Sequence, residues 1–539
     1  MNDIKLLDCT LRDGGYVNDW KFGNKNLVSV FERLVDSGIE IIEVGFLDER
    51  RPFDSDRSIM PTTSCVDSIF GVLDKKNTMV VGMIDYGTCP IENLSLCEKS
   101  YLDGIRVIFK KHMMHEAMEY CRQVKALGYK VFSQLVSITT YSDEELIELI
   151  GLVNDVKPYA VSMVDTYGLL HPEDLLHYYQ ILDEKVESEI QIGFHAHNNF
   201  QLGYANALAF LEKKRKHDIV VDGTLFGMGK SAGNTPLELL GMRLNDKYGK
   251  HYNINAMLEA IEETIKEFYL KNPWGYTTFF YLCSKNSCHP NYVSYFKEKQ
   301  NLSVTKLDEL LALIEPEDKK LLYDKLVAEQ IYNEFIEKNI LEKESIDAFK
   351  SEITNRKLLL IGPGKNIDLQ MEKVNKFIDQ NEPYIISINY IPKDISVDCV
   401  FITNTKRYHD MTLATKEKKT KLLATSNVEC RNGIFDFVVN RAPLLENNEK
   451  IIDNSFLMLM KLLKRIGIKE VNCAGFDGYS HKDDNYRTPE MEYYFVKQEA
   501  SYLNYHMRKR IFELREHMMV NFITYSAYDA EENINGAAI

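Results

Sequence analysis

The 539-residue sequence has no apolar run approaching the roughly 20 residues that cross a bilayer. Its first residues, MNDIKLLDCTLRDGG, are charged and hold no apolar leader core. It has no excess of positive charge either: 65 Lys and Arg stand against 80 Asp and Glu, a net charge of −15. Such a chain offers no global field for nucleic acid or anionic lipid, so neither is expected as a partner. No two of its ten cysteines lie at CxxC spacing, and the closest pair, Cys283 and Cys288, matches no common zinc pattern. Reduced thiols are expected, and with them a soluble, cytoplasmic protein. Low-complexity segments and internal repeats are absent. What is present is ample apolar material: 45% hydrophobic and 27% charged residues suit a large buried core and exclude global disorder. At roughly 150 residues per domain the length predicts two to four domains.

Eight short apolar runs are expected to be strands: Ile4–Leu7, Ile41–Phe46, Met79–Ile84, Gly104–Phe109, Lys130–Leu135, Ala160–Asp165, Ile190–His197 and Ile219–Thr224. Amphipathic segments lie between them, among them NKNLVSVFERLVDSG and SDEELIELIGLVNDV, the latter opening on a capping Ser142. This is the pattern of a (β/α)8 TIM barrel over residues 1–253. From 254 to 350 the strands stop and INAMLEAIEETIKEFYL, TKLDELLALI and KLLYDKLVAEQIYNEFIEK read as helices, with a charged break at Glu315–Lys320. This stretch is expected to be a helical extension completing the pocket. At Lys357 an α/β rhythm returns through RKLLLIGPGKN, YIISIN, DCVFIT, KLLAT, FDFVV and VNCAGFDGYS. Residues 351–539 therefore read as a Rossmann-like, doubly wound α/β domain.

Active sites of such barrels form at the C-terminal ends of the strands. Arg12 and Asp13 follow the first strand, and HAHNN ends the seventh. His195 and His197 are two residues apart, so on a strand both face the same side. Two imidazoles with a carboxylate from another strand suit a divalent metal with open positions. After the eighth strand, VDGTLFGMGKSAGNTPLE carries Gly227, Gly229 and Gly233, which let backbone approach a ligand, and Asn234, which can add an oxygen to the metal. Lys230 is not expected to form a Schiff base, because the metal already supplies an electron sink.

LLDCTLRDGGY, IEVGF, VDTYG, GFHAHNN and VDGTLFGMGKSAGN resemble the DRE-TIM metallolyases, the pyruvate-carboxyltransferase-like and HMG-CoA-lyase-like barrel enzymes. The resemblance spans about residues 1–300 and is strongest to the 4-hydroxy-2-oxovalerate aldolase branch, through RDGG and GNTPLE. It implies a divalent-metal class II aldolase, a carbon–carbon lyase, that cleaves or forms 4-hydroxy-2-oxo acids through a pyruvate enolate. Mn2+ is the metal it favours, with Mg2+ or Co2+ as substitutes, and no organic cofactor is implied. Asp13, His195 and His197 would be metal ligands, and His195 would also lie against substrate. Arg12 would bind the 2-oxo acid and stabilise the enolate. Thr166 stands where that branch has a substrate-binding serine, and Tyr292 best matches a pocket tyrosine. The catalytic histidine expected a few residues after RDG is replaced by Tyr16. The base is thus Tyr16, a metal-bound water, or a histidine such as His289. Expected partners are a 2-oxo acid and an aldehyde, with a homo-oligomer as the assembly. An acyl-CoA Claisen-type synthase or lyase of the same superfamily is the alternative.

In the C-terminal domain, Gly362 and Gly364 mark a strand-to-helix turn where a phosphate is expected, with Asp477 across the switch point. Position 367 is isoleucine, so the full GxGxxG is absent, and Asn389 replaces the acidic residue of a nicotinamide site. LIGPGKN with GFDGYS is similar to the nucleotide-binding half of bacterial sialyltransferase-like proteins of surface-polysaccharide loci. A nucleotide-sugar binding or transferase role is the corresponding alternative, with a sugar-like aldehyde in glycan biosynthesis as its variant. A plain oligomerisation or partner-contact domain reads these residues equally well.

Overall fold

A computed structural model describes residues 3–529 except 215, 316–319, 321–322, 417–419, 430–434, 449, 489–490 and 492–494; the side chains of 410, 412–416 and 495 are likewise not described. Most of the charged break at Glu315–Lys320 therefore lies outside the described residues. No described helix is long and apolar enough to cross a membrane.

All eight expected barrel strands form. They are β1 (Ile4–Asp8), β2 (Ile41–Leu47), β3 (Met79–Asp85), β4 (Gly104–Phe109), β5 (Lys130–Leu135), β6 (Ala160–Asp165), β7 (Gln191–Ala196) and β8 (Ile219–Gly223). Each pairs in parallel with its sequence neighbour, and β1 pairs with both β2 and β8, so the sheet closes. A two-residue strand, Ile59–Met60, adds to the edge of β2. Outward residues such as Ile42, Val44, Ile105, Val107, Val161, Met163 and Val221 join the core beneath the surrounding helices. The alternate residues fill the barrel. Leu7, Ile41, Val81, Phe132, Ala160 and Val220 make an apolar floor.

One period further along the strands the filling turns polar. Arg106 donates to Glu43 at 3.0 Å and to Gln134 at 2.9 Å, and also pairs with Asp222. Gln134 passes a hydrogen bond on to Ser162 at 3.1 Å. These groups are buried, so Arg106 is the cation that makes the two flanking carboxylates tolerable. Arg106→Met should leave Asp222 uncompensated and cost about 3–5 kcal/mol. Urea unfolding of the variant checks this, and a loss too small to resolve would contradict it.

Contacts divide the chain into one unit of residues 1–293 with 320–322, and a second of 294–319 with 323–539. The stretch from 254 to 350 is thus not a single extension of the barrel. Its first part, Ile254–Ala260 and Lys266–Lys271 around a π-turn at Ile261–Ile265, packs with the barrel helices. Helices Val304–Ala312, Lys325–Asn339 and Glu342–Ile353 belong to the second unit. There Asn301 accepts from Arg441 N–H at 2.8 Å, and Phe349 and Ile353 enter the sheet's core.

The second unit is built on seven parallel strands: β9 (Leu358–Ile361), β10 (Tyr384–Ile388), β11 (Cys399–Ile402), β12 (Lys421–Thr425), β13 (Phe437–Val439), β14 (Glu470–Ala474) and β15 (Met519–Phe522). Their order is β13-β12-β11-β10-β9-β14-β15, so the winding reverses between β9 and β14, as in Rossmann-like folds. Leu358 and Leu360 face one apolar core and Leu359 and Ile361 the other, so the sheet is covered on both sides. The edge strand β15 was not among the strands expected from the sequence.

Candidate metal centre and active site

The ends of β1, β7 and β8 bring three elements to one point. After β1 the chain enters a short helix, Thr10–Asp13, which turns Arg12 and Asp13 inward. His195 faces the interior as an alternate residue of β7, and His197 lies two positions on, just past the strand end. The loop after β8 is fastened to it: His197 and Asn234 form an antiparallel bridge, and Asn198 N–H donates to Gly233 O at 2.8 Å.

Each ligand atom is oriented from behind. His195 Nδ1 lies 3.0 Å from Asp222 Oδ2, and His197 Nδ1 lies 3.0 Å from the Asp165 carbonyl. Both Nε2 atoms therefore point at Asp13, at 3.6 and 3.5 Å from its two oxygens. His195 Nε2, His197 Nε2 and Asn234 Oδ1 are all buried and have no hydrogen-bond partner among the described residues. Asn234 is fixed by its amide, which donates to Asp13 Oδ1 at 3.0 Å and to Met228 O at 3.3 Å. Lone pairs converging on a carboxylate, with no protein donor to satisfy them, are what a divalent cation requires. The residues present fit a metal of the N/O-binding kind.

Burial opposes charge on Asp13, but Arg12 and His197 outweigh it and hold its carboxyl well below the usual range. Burial lowers His197; it also opposes charge on His195, but the neighbouring carboxylates of Asp13 and Asp222 outweigh it and leave His195 raised. Cys9 Sγ lies 3.9 Å from His195 Nδ1. That nitrogen is already taken by Asp222, the thiol donates to the Gly223 carbonyl at 3.4 Å, and burial raises it well above its normal pKa. Arg12 is held on two sides: Nε donates to Glu43 at 2.7 Å and one terminal nitrogen pairs with Asp13. Its carbonyl accepts from Trp20 Nε1 at 2.7 Å. Among the described residues its other terminal nitrogen makes no hydrogen bond. Gly229 leaves no room for a side chain, since a Cβ would sit 2.3 Å from Asn234 Nδ2 and 2.8 Å from Asp13 Oδ1. Gly229→Ala should therefore lower metal affinity and turnover together in a folded protein. Equilibrium dialysis checks this, and unchanged affinity would contradict it.

The other candidates divide. Tyr16 stands at the rim, 4.7 Å from the Trp20 ring, and burial together with Asp13 pushes its phenol up to about 12. Burial and the nearby charges of Lys230 and Lys110 push His289 down to about 4, so it is neutral. Its Nδ1 accepts from Asn291 N–H at 3.1 Å, which places its proton on Nε2. The His289 ring lies 5.9 Å from Tyr167, the residue after Thr166. Thr166 Oγ1 accepts from Ser137 N–H at 2.7 Å and ties the β5 and β6 loops together. Tyr292, on helix Pro290–Glu298, is fully enclosed.

Sequence reasoning did not single out Glu43, Arg106, Asp222 or Gln134. The available signal was a charged residue in the middle of an apolar strand: IIEVGF, GIRVIF and IVVDG each hold one. Asn199 was also missed. It bridges Tyr167 O, at 3.0 Å, and Ala232 N–H, at 3.1 Å, so it links the β6 and β8 loops.

Residues 3–265 match the HMGL-like family. The barrel is an HMGL-like domain, and the chain is an enzyme of the carbon–carbon lyase class. It is 26% identical over 273 residues to a 4-hydroxy-2-oxovalerate aldolase of Pelotomaculum thermopropionicum, covering 50% of this chain and 78% of that one. An oxaloacetate decarboxylase of Mycobacterium tuberculosis is 27% identical over 237 residues, 44% of this chain and 68% of that one. Among solved structures, an HMG-CoA lyase of Bacillus subtilis is 16% identical with a TM-score of 0.41, over 51% of this chain and 95% of that one. The Asp13–His195–His197 cluster lies wholly within the HMGL-like domain.

In the second unit, a 190 Å³ cleft opens at the switch point between β9 and β14, lined in part by Gly364, Asn389, Thr403, Arg407, Ser455 and Asp477. The expected phosphate cradle is not open there. Gly362 N–H donates to Ala474 O at 2.8 Å, Gly364 N–H to Gly475 O at 2.9 Å and Asn366 N–H to Asp477 Oδ2 at 2.7 Å. Pro363 has no N–H to give. Asp477 thus occupies the position an anion would take. Burial pushes its carboxyl up to about 6, and its second oxygen has no partner.

Proposed function

We propose that the HMGL-like domain is a divalent-metal-dependent aldolase that cleaves or forms a 4-hydroxy-2-oxo acid through a pyruvate enolate. The observation that carries this reading is the pair of unsatisfied imidazole nitrogens, His195 Nε2 and His197 Nε2, gathered about Asp13 beside a fixed guanidinium. When bound, a divalent cation acts as a Lewis acid that stabilises negative charge on a carbonyl oxygen; Mn2+ is the ion we favour for this N/O donor set.

The chain's own groups do the rest. Asp13, His195 and His197 would hold the ion, and Asp222 and the Asp165 carbonyl orient the imidazoles so that both Nε2 atoms face Asp13. Arg12 offers its open terminal nitrogen to the oxygen on which enolate charge develops, and the Glu43 and Asp13 pairs stop it from swinging away. Tyr16, kept protonated, can donate to a substrate oxygen at the rim. The proton of the 4-hydroxyl goes to a base that is neither Tyr16 nor, in the tautomer present here, His289.

The decarboxylase relative supports a second substrate, because oxaloacetate losing CO2 leaves the same pyruvate enolate. A lactate-dehydrogenase-coupled screen across 4-hydroxy-2-oxo acids and oxaloacetate tests the reading. Pyruvate release that stops on chelation is expected, and release of free thiol from an acyl-CoA in its place would favour Claisen chemistry. We assign the cleft of the second unit to a ligand bearing hydroxyl or ammonium donors for Asp477, and a sugar-like aldehyde substrate is compatible with it. All nine described cysteines are free, which supports a reducing, cytoplasmic setting.

A further inference from the structure

Lys230 occupies an unusual place in the barrel mouth. Its backbone is pinned from both sides: its N–H donates to Asp13 Oδ1 at 3.0 Å and its carbonyl accepts from Gly233 N–H at 2.9 Å. The side chain is thereby carried over the metal-ligand cluster, with Nζ 5.5 Å from the centre of the Tyr16 ring and 5.9 Å from that of Tyr167. These two rings come from the β1 and β6 loops, so the ammonium spans the opening. Among the described residues it makes no ion pair and no side-chain hydrogen bond.

The charges around it are otherwise spoken for. Asp13 pairs with Arg12, Glu43 with Arg12 and Arg106, and Asp222 with Arg106. On the β2 loop, Arg50 holds Asp48 at 2.6 Å. Asp85, at the end of β3, is a further acid in electrostatic reach, and among the described residues it makes no ion pair with Nζ. Lys110, after β4, adds further positive charge and is exposed to solvent. His289, on the remaining side, is neutral. A cation set between two aromatic faces, with no carboxylate partner, pays a desolvation penalty that an arriving anion removes.

The charge of the site indicates which anion. In the ligand cluster three buried carboxylates, Asp13, Glu43 and Asp222, face two guanidiniums, Arg12 and Arg106. A divalent ion turns that single negative excess into a single positive one, which matches the one carboxylate of a 2-oxo acid. Lys230 is then a second positive charge in the same mouth and calls for a second anionic group. We propose that Lys230 binds a carboxylate or phosphate on the aldehyde half of the substrate, so that the carbonyl partner of this enzyme is an anionic aldehyde. This rests on the aldolase reading given above.

The test uses the full chain with its metal, as wild type, Lys230→Gln and Lys230→Arg. Pyruvate is offered matched aldehydes: propanal against succinic semialdehyde for the carboxylate, and glyceraldehyde against glyceraldehyde 3-phosphate for the phosphate. Wild type should favour one anionic aldehyde over its neutral partner by about tenfold or more in kcat/KM, the size of one charge-assisted contact. Lys230→Gln should lose that preference through KM, and Lys230→Arg should keep most of it. Calorimetry with the unreactive probes butyrate and glycerol 3-phosphate gives a readout free of turnover, with a loss of about tenfold in affinity expected for Lys230→Gln. The member of each pair that responds identifies the anionic group. No charge preference in wild type, or an equal loss for neutral and anionic aldehydes in Lys230→Gln, would overturn the assignment. Exchange of pyruvate methyl protons with solvent separates the two failures. Wild-type protein that exchanges without any charge preference refutes only the role of Lys230, whereas protein that does not exchange refutes the aldolase reading beneath it.

Discussion

His195→Ala should yield a folded protein that binds divalent metal at least about 10²-fold more weakly than wild type and has no measurable turnover. The reason is geometric. The His195 Nε2 lone pair points into the cluster because Nδ1 is anchored on Asp222 at 3.0 Å, and no neighbouring donor can take its place. The fold should survive because the substitution removes a buried polar group that lacks a partner on that nitrogen, while Arg106 continues to neutralise Asp222. Asp222→Asn should give a milder form of the same defect, a loss of about 10–100-fold in metal affinity, because the imidazole loses its orienting carboxylate. Elemental analysis of the dialysed proteins, with circular dichroism to verify folding, checks both. A His195→Ala protein that keeps a full equivalent of metal would show that the ion sits elsewhere.

Arg12→Lys should not rescue function, and its turnover should fall by about 10²-fold or more. Arg12 holds Glu43 through Nε and Asp13 through one terminal nitrogen, and in the proposed reading its other terminal nitrogen serves the substrate. An ammonium has no planar fork, so it can hold the two carboxylates or face the enolate oxygen, and not both. The loss should fall on kcat more than on KM if the contact forms chiefly in the transition state. Steady-state kinetics on the metal-loaded variant measures it, and near wild-type kcat would make Arg12 a structural residue only.

Why some of this was legible from the sequence and some was not follows from how each feature is encoded. The barrel strands are buried on both faces, so they appear as continuous apolar runs, and all eight expected segments coincide with β1 to β8. The convergence of His195 and His197 was readable because HxH on a strand fixes a common side without knowledge of any other element. The bracing network was not, since Glu43, Arg106, Gln134 and Asp222 meet only after closure brings β2, β4, β5 and β8 around one axis. The placement of the helices beyond 293 was hidden for a related reason. Amphipathic periodicity states that Val304–Ala312 and Lys325–Asn339 have an apolar face, but not which core receives it. The glycine turn at Gly362 and Gly364 misled because its composition fits a phosphate loop. Only the hydrogen bonds show its amides committed to Ala474, Gly475 and Asp477.

Proton NMR of pyruvate in deuterated water tests the central claim most directly, since enolisation needs neither the aldehyde nor its identity. Metal-loaded wild-type protein should exchange the methyl protons of pyruvate for deuterium. Chelation should stop the exchange, added Mn2+ should restore it, and His197→Ala should abolish it while leaving the fold intact. Exchange that continues at the wild-type rate in chelated protein, or in a folded His197→Ala variant, would contradict a metal-supported enolate at Asp13, His195 and His197.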